Sequence, residues 1–451
     1  MRHLIFQLGT NNWQRQGEFA PGSGILHEAH HHAFNDMPEV TCYSVYPSKV
    51  QTSDDPQVSI FPLEHDIPIC ESISPVSSYR FHGMSEHEFG AYVNRLQNFT
   101  RDQIDAAEKR EGRELDLAIA HHSFLNPLVL SRINRERVIN GRAPFMLMCF
   151  VHGTALKMFA HEKSGTDPEY PARFLPFMQK HGVFDPDGNV DACAAISTEQ
   201  LSKFSDVFPD YPRARMILSP NGYDTGVFKP DMQAYRTRES ILRGLELPAS
   251  PVRPDIKKID SHFNHVVVFC GKFADWKRLD CLLHAAAVYE KRGDIATLIV
   301  GSGPDEAITH YHDIAYRLLG LRNTWFLGPR SHSEIAQLNS MADLGVYPSR
   351  NEPFGLVLIE CMACGTPVIG ANSGGPRDFV NAGVGELIDE GDNAQIAARL
   401  SDTITRALSE EWKMTKGATA AQFAREHYSV ERQCAKLLDD VVALKQEISQ
   451  R

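Results

Sequence analysis

The sequence predicts an α/β protein built from two doubly wound, Rossmann-like domains. Short apolar runs alternate with segments of helical periodicity, which is typical of βαβ units around a parallel sheet. The chain has 451 residues, of which 42% are hydrophobic and 23% are charged, enough for two independent cores and unlike a fibrous or disordered chain. A stretch rich in proline and charge, at 231–264, interrupts the alternation. The sequence therefore predicts two domains joined by a linker.

Each element follows from this pattern in chain order. We predict a first domain at 1–225, a linker region at 226–264, a second domain at 265–428 and a C-terminal helix at 429–451. Strands are predicted at 3–8, 40–45, 115–120, 145–151 and 192–197, and then at 266–269, 296–300, 324–327, 344–347 and 367–370. The apolar stripe of the last helix consists of Ala435, Leu437, Leu438, Val441, Val442 and Leu444. Ligands of doubly wound sheets bind at the carboxyl ends of the strands, so we expect the site in a cleft there.

Charge and composition exclude several partners. A net charge of -11 argues against nucleic acid, because such binding needs clustered lysine and arginine. The first apolar run is too short for a signal peptide, and no segment reaches the roughly 20 apolar residues of a membrane helix. Nine scattered cysteines indicate buried thiols. We therefore expect a cytoplasmic protein whose membrane contact is at most peripheral.

Two carboxylates, Glu352 and Glu360, lie eight residues apart across a predicted helix start. Pro353 lacks an N–H and suits the first helical turn, so the helix is expected to begin there, with Glu352 in the loop and Glu360 about two turns in. Free N–H groups at a helix start hold phosphate, and carboxylates accept protons from sugar hydroxyls. The stretch predicts a sugar-nucleotide site.

This stretch resembles the EX7E motif of retaining glycosyltransferases of family four, which have the GT-B fold. The resemblance extends, in order and spacing, over most of 215–430. The further matches are 220–224 with Phe228 and Pro230, 271–277, 298–304, 326–328 and 370–376. In the N-terminal half it is confined to 22–24 and 151–154. It implies two Rossmann-like domains facing across a cleft, with the last helix crossing back to the first domain.

The resemblance also implies a role for each matched residue. The expected catalytic residues are His152, Lys277 and Glu352. The expected donor diphosphate and sugar contacts are Gly22, Ser23, Gly24, Lys272, Lys277, Pro353, Phe354, Gly355 and Leu356. Glu360 would bind the ribose, and Gly328, Pro329 and Arg330 would lie near the base. Lys272 stands where the family usually has arginine, which keeps the charge but loses the bidentate fork.

The implied activity is retaining, metal-independent transfer of a hexosyl group (glucosyl, N-acetylglucosaminyl or mannosyl) from a nucleoside diphosphate sugar to an acceptor hydroxyl. We interpret the donor as UDP-linked; a GDP-sugar-dependent mannosyltransferase is the alternative. No cofactor or metal is expected beyond the donor substrate. The acceptor, a small molecule, a glycan or a lipid-linked acceptor, is expected to meet the loops at 9–24, 47–90 and 155–190. The protein is expected to be a monomer or homodimer.

Two other classes of protein stay open from the sequence. His27, Glu28 and His31 satisfy H-E-x-x-H, the signature of zinc-dependent hydrolases, although the alternating α/β pattern differs from that class. A nucleotide-binding pseudo-enzyme would keep the fold without transfer, but all the matched polar residues are present. Cys361 and Cys364 form a C-x-x-C without a second pair, so we expect them to pack as small apolar residues.

Overall fold

A computed structural model describes residues 2–10, 13, 22–48, 53–63, 84–153, 156, 178–180, 182–185, 188–255, 257–259 and 262–450. The chain forms two compact units, one of Met1–Pro220 with Val430–Arg451 and the other of Asn221–Ser429. The segment 226–264, expected as a linker, contains two short helices and belongs to the second unit. Most of the 155–190 segment and of the predicted acceptor loops lies outside the described residues.

The first unit is a seven-stranded parallel sheet with helices. Its elements are β1 His3–Leu8, α1 Gly22–Asn35, β2 Val40–Ser48, β3 Val58–Pro62, α2 Glu86–Glu111, β4 Leu117–His121, α3 Asn126–Ile139, β5 Met146–Val151, the short antiparallel pair β6 Phe184–Asp185 and β7 Gly188–Asn189, β8 Ala192–Ala195, α4 Thr198–Val207 and β9 Met216–Leu218. The strand order is β3-β2-β1-β4-β5-β8-β9. Every residue of β4 and β5 is buried, as expected for parallel strands covered on both faces.

The second unit contains a six-stranded parallel sheet. Its elements are α5 Met232–Arg236, α6 Arg238–Gly244, β10 His265–Cys270, α7 Leu279–Tyr289, β11 Ile295–Val300, α8 Asp305–His312, β12 Thr324–Gly328, α9 His332–Met341, β13 Leu344–Tyr347, α10 Leu356–Ala363, β14 Val368–Ala371, β15 Gly385–Ile388, α11 Asn393–Ser409 and α12 Trp412–Tyr428. The strand order is β12-β11-β10-β13-β14-β15. The predicted α/β fold of two Rossmann-like sheets is confirmed.

The C-terminal helix, α13 Val430–Ser449, belongs to the first unit and packs against α1. Its buried side chains recur at helical spacing: Val430, Cys434, Leu437, Val441 and Leu444. The predicted stripe was wrong at Ala435, which is exposed because the stripe runs one position earlier, through Cys434. The predicted return of the last helix to the first domain is confirmed.

The short antiparallel pair β6 and β7 was not predicted. Three strands of the parallel sheets, β3, β9 and β15, also escaped prediction. All three are short and lie at sheet edges, where burial on one side is enough and a continuous apolar run is not required. Within the described ranges, no helix is both long and apolar enough to cross a bilayer.

Candidate active site

Each sheet has one point where its strand order reverses. In the second unit this switch point lies between β10 and β13, and in the first unit between β1 and β4. The loops that leave adjacent strands there run in opposite directions and open a crevice at the carboxyl ends. Lys277 follows β10 and Glu352 follows β13, whereas His121 ends β4 and His152 follows β5. Chain topology thus explains why the polar residues of each unit gather where they do.

Lys277 and Glu352 form a buried ion pair in the second unit. Lys277 Nζ lies 2.6 Å from Glu352 Oε2, and each residue is 8% exposed. The ammonium also lies 4.3 Å from the centroid of the Trp276 ring, a cation–π contact. Because an unpaired charge is strongly unfavourable in such surroundings, each side chain fixes the other.

The loop that carries Lys277 is held against the loop after β11. A Cβ on Gly301, which has a φ of 130°, would lie 1.9 Å from the carbonyl oxygen of Gly271. The Phe273 N–H donates to the Ser302 carbonyl at 2.9 Å. Only glycine at 301 permits this approach, and the approach places residues 271–277 at the end of the sheet.

The loop that carries Glu352 rests on the Gly374-Gly375 pair. A Cβ on Gly374, at a φ of 71°, would lie 2.2 Å from the Glu352 carbonyl oxygen. The Gly375 N–H donates to that same oxygen at 2.8 Å, and the Asn351 N–H donates to Ser373 Oγ at 3.1 Å. Close backbone contact at Gly374 and Gly375, together with the Ser373 hydroxyl, therefore fixes the position of Glu352.

The predicted helix start at Pro353 was wrong. Helix α10 begins at Leu356, because Gly355 adopts a φ of 101° and forms its N-cap. Pro353 and Phe354 therefore lie in the loop with Glu352, and Glu360 lies little more than one turn into the helix. Glu352 in the loop and Glu360 in the helix agree with the expected arrangement, and the first N–H groups of α10 face no cap side chain.

Glu360 is a partly buried carboxyl whose pKa burial raises to about 7. Near neutral pH, part of the protein therefore carries Glu360 protonated in the absence of ligand. Hydroxyl donors from a sugar would favour the charged form, since hydrogen bonds to a carboxylate offset its desolvation.

The remaining predicted residues of the second unit have different surroundings. Lys272 is exposed, five residues before the buried Lys277. Arg330 donates to the carbonyls of Leu327 and Glu246 and pairs with Glu334, so its guanidinium anchors the chain. Contacts within the chain thus occupy the Arg330 guanidinium, and the neighbouring Gly328 is partly exposed.

The first unit gathers histidines at its switch point. His152 Nε2 lies 3.0 Å from His121 Nδ1, and His121 Nε2 lies 2.9 Å from Gln7 Oε1. A carbonyl oxygen can only accept, so His121 Nε2 carries the proton and Nδ1 accepts one from His152 Nε2. Nδ1 of His152 is then left as an acceptor. His121 and Gln7 thus set the tautomer of His152.

These histidines are held neutral. Burial lowers the pKa of His27, His121 and His152 well below the ordinary value, and the charges of neighbouring histidines lower it further. Burial also lowers the pKa of His30 and His122 to about 4. At neutral pH the cluster acts through hydrogen bonds and not through positive charge.

Sequence reasoning missed His121, Gln7 and Thr10, whose Oγ1 lies 2.5 Å from His122 Nδ1. The signal for His121 was present, because it ends a buried strand just as His152 follows one. Gly22, Ser23 and Gly24 were expected to precede a helix, but they form its first turn. Thr154 of the 151–154 match lies outside the described residues.

The H-E-x-x-H pair does not converge on one point. His27 stacks on His121 with ring centroids 3.8 Å apart, whereas His31 pairs with Ser44 at 2.8 Å and Asp55 at 3.2 Å. The two histidines belong to separate groups of potential metal ligands. A zincin site on His27 and His31 is therefore contradicted by the geometry.

Cys361 and Cys364 are buried free thiols, as expected. Burial raises the pKa of Cys364 to about 12 and raises that of Cys361 further. Neutral thiols of this kind are poor nucleophiles and poor metal ligands.

Comparison with known proteins finds sequence similarity to glycosyltransferases. Residues 254–421 match the sequence profile described as glycosyl transferases group 1. The chain is 26% identical over 454 residues to a D-inositol 3-phosphate glycosyltransferase of Salinispora arenicola, covering 96% of this chain and 93% of that protein. It is 31% identical over 285 residues to D-inositol 3-phosphate glycosyltransferase 2 of Catenulispora acidiphila, covering 58% of this chain and 61% of the relative. Other such matches span little more than half of the relatives' length.

Solved structures share the fold. Anabaena Alr3699/HepE in complex with UDP and glucose aligns with a TM-score of 0.63 and 17% identity, over 98% of this chain and 100% of that one. The two-sheet fold with a returning last helix is therefore of the GT-B type.

Gly374→Ala should destabilise the second unit by roughly 3 kcal/mol or more, since the added Cβ meets the backbone of Glu352. Gly293→Ala is the matched control: its φ of 80° is also left-handed, but a Cβ there has open space, so only about 1–2 kcal/mol is expected. Denaturant unfolding of both variants measures the difference. Equal losses of unfolding free energy in the two variants would show that the close approach at Gly374 does not contribute to stability.

Glu360→Gln should stabilise the ligand-free protein at pH 8. With its pKa raised to about 7, folded Glu360 binds a proton more tightly than the unfolded chain does, so stability falls as pH rises from about 4.5 to 7 and stays reduced above. Glutamine removes that penalty, so the Tm advantage of the variant should grow through this window. Glu306→Gln, at an exposed carboxylate of the same unit, is the control and should leave the pH profile unchanged. A Tm advantage of Glu360→Gln that does not change with pH would contradict the raised pKa of Glu360.

Proposed function

The chain belongs to the group 1 glycosyltransferases, and on that premise we propose that it is a retaining hexosyltransferase that uses a UDP-linked sugar without a catalytic metal. The observation that carries the proposal is the buried Lys277–Glu352 pair at the switch point of the unit that matches the family profile. It places one cation and one carboxylate within 2.6 Å of each other, beside a helix that carries a second carboxylate.

The departing diphosphate is the centre of the proposed chemistry. Negative charge grows on it as the glycosidic bond breaks, and a preorganised cation lowers the barrier most where water is excluded. Lys277 is such a cation, and we propose that the phosphate replaces Glu352 as its partner. Lys272 adds an exposed charge at the same loop. Residues 353–356 offer backbone N–H groups to the phosphate or the sugar hydroxyls.

Once released from Lys277, Glu352 is free to accept hydrogen bonds from the donor sugar. Glu360 is proposed to accept from both ribose hydroxyls, each bond being worth about 1.5–3 kcal/mol. Nucleotide binding would thus favour the ionised form of Glu360. In the ligand-free protein, burial would make the ionised form of Glu360 unfavourable.

His152 is proposed to contact the reacting sugar through its Nδ1, the nitrogen that the His121 relay leaves as an acceptor. An acceptor suits a sugar hydroxyl and does not suit a phosphate oxygen. The resting tautomer would therefore direct His152 toward the sugar.

Retention is assigned to attack on the same face from which the diphosphate leaves, with the leaving phosphate taking the acceptor proton. No carboxylate nucleophile is assigned. UDP is proposed as the donor nucleotide, as in a protein of this fold that was solved with UDP and glucose; another protein of this fold was solved with ADP. The acceptor is proposed to be a small molecule, a glycan or a lipid-linked acceptor. Cytoplasmic location, as a monomer or homodimer, agrees with the free thiols of the described cysteines.

Thermal unfolding with UDP, GDP and ADP tests the donor class. UDP at about 100 times its Kd should stabilise the protein by roughly 2.7 kcal/mol, and this increment should be the same with and without EDTA. Glu360→Ala should abolish it, while the exposed-site variant Glu306→Ala should retain it. An increment that GDP alone produces would indicate the mannosyltransferase alternative. An increment that EDTA removes would contradict metal-independent binding.

Lys272→Arg tests the one departure from the family pattern. If lysine weakens the phosphate contact, arginine should tighten UDP binding by a few-fold, because its fork makes two bonds where lysine makes one. Isothermal calorimetry measures the change, with Lys291→Arg, on the same unit, as control. Unchanged affinity would show that the departure is neutral.

A further inference from the structure

Three histidines of the first unit lie close together, and the proposed transfer uses only two of them, His121 and His152. His27 comes from α1, His121 from the end of β4 and His152 from the loop after β5. One ring nitrogen of each lies within 4.8 Å of those of the other two. Three separate elements therefore bring imidazole nitrogens to one point.

His27 is the member whose chemistry is unexplained. It is 1% exposed, and neither of its ring nitrogens has a hydrogen-bond partner among the residues that the structure describes. Leaving a buried polar atom unpaired is unfavourable, because the atom loses its hydrogen bonds to water. His27 nevertheless sits beside His121, with ring centroids 3.8 Å apart, and 5.1 Å from the ring of His152. A histidine that only fills space would be more stable as an apolar residue.

The surroundings of His121 are those of a metal ligand. Its Nε2 donates to Gln7 Oε1 at 2.9 Å, which leaves the Nδ1 lone pair to accept the hydrogen of His152 Nε2, 3.0 Å away. A metal would take over that lone pair, and His152 would coordinate through Nε2 once its proton has moved to Nδ1. Histidines that bind metals usually donate their other N–H to an oxygen acceptor in this manner. Ligand nitrogens around tetrahedral zinc lie about 3.3 Å apart. The His121–His152 pair already has this spacing, whereas the nitrogens of the whole group lie within 4.8 Å and would have to move closer on binding.

We propose that His27, His121 and His152 form a site for a divalent transition metal of the zinc class, with a fourth position left for water or another oxygen ligand. Three imidazoles suit zinc, cobalt, nickel and copper, whereas magnesium and calcium prefer oxygen ligands. The neutral state that burial imposes is also the state in which imidazole coordinates.

This site is separate from the H-E-x-x-H hypothesis, which pairs His27 with His31. It is also compatible with metal-independent transfer. If His152 contacts the donor sugar, which rests on the proposed function, a bound metal would compete for that residue. Metal binding itself is independent of the transfer proposal, because its measurement needs no substrate.

The untagged full-length protein is first treated with a chelator to remove bound metal. It is then titrated with Co²⁺ while the visible d–d absorption is recorded. Finally, Zn²⁺ is added to displace the Co²⁺. We expect one strongly absorbing Co²⁺ per chain, of the intensity typical of four-coordinate cobalt, displaced by one Zn²⁺. Elemental analysis after gel filtration gives an independent stoichiometry.

His27→Gln and His121→Gln should each weaken Co²⁺ binding by about 100-fold or more, beyond the 10–100-fold typical of losing an outer-shell partner. His30→Gln is the matched control, since it is a buried histidine on the same helix, outside the group of three. It should bind as the wild type does. Should His27→Gln and His121→Gln not fold, Gln7→Leu, which removes the acceptor for His121, should weaken binding 10–100-fold.

Absence of the cobalt spectrum in the wild type would overturn the proposal. So would binding that survives in both His27→Gln and His121→Gln, or in Gln7→Leu where that variant replaces them. Loss of binding in His31→Gln with retention in His27→Gln would assign the metal to the second group, His31, His32 and Asp55, and would equally overturn it.

Discussion

The ion pair between Lys277 and Glu352 is the interaction on which the second unit's site depends. Two opposite charges, 2.6 Å apart and almost out of water, are tolerated because each neutralises the other. Removing one partner would leave a buried charge, an effect of about 3–5 kcal/mol. In the ligand-free protein, this pairing keeps the Lys277 ammonium largely out of contact with water. Under the proposed function, a diphosphate would take over this cation without the protein having to remove water from it.

Backbone contacts support that pair, and they explain why glycines recur around it. Gly301 lets the Lys277 loop approach β11, and Gly374 lets the Glu352 loop approach the chain after β14. In both places a single Cβ would collide with a carbonyl oxygen. The side chains that carry charge are thus positioned by residues that have no side chain. The histidines of the first unit obey a related rule, since buried strand ends and a carboxamide fix which nitrogen carries each proton.

Much of this could be predicted because it depends on local pattern. The near-continuous apolar runs predicted the central strands, and the spacing of Glu352 and Glu360 predicted one loop and one helical carboxylate. The edge strand β15 escaped because an edge needs little apolar sequence. The helix start escaped because Pro353 and Gly355 are both helix-start residues, and only the observed φ of Gly355 decides between them. The partnership of His27 with His121 escaped for a different reason, because 94 positions of chain separate them and only the strand order brings them together. The same topology separated His27 from His31, which the sequence motif had joined.

Calorimetric titration of UDP into the wild type, Lys277→Met, Glu352→Gln and the double variant tests the central claim that Lys277 changes partner from Glu352 to the diphosphate. The account predicts at least about tenfold weaker binding for Lys277→Met, since a charged hydrogen bond is lost. Glu352→Gln should bind UDP as tightly as the wild type or more tightly, because the competing carboxylate is gone. The double variant should resemble Lys277→Met. Equal weakening by both single variants, with no further loss in the double variant, would contradict the account and show that the intact pair serves only to hold the loops together.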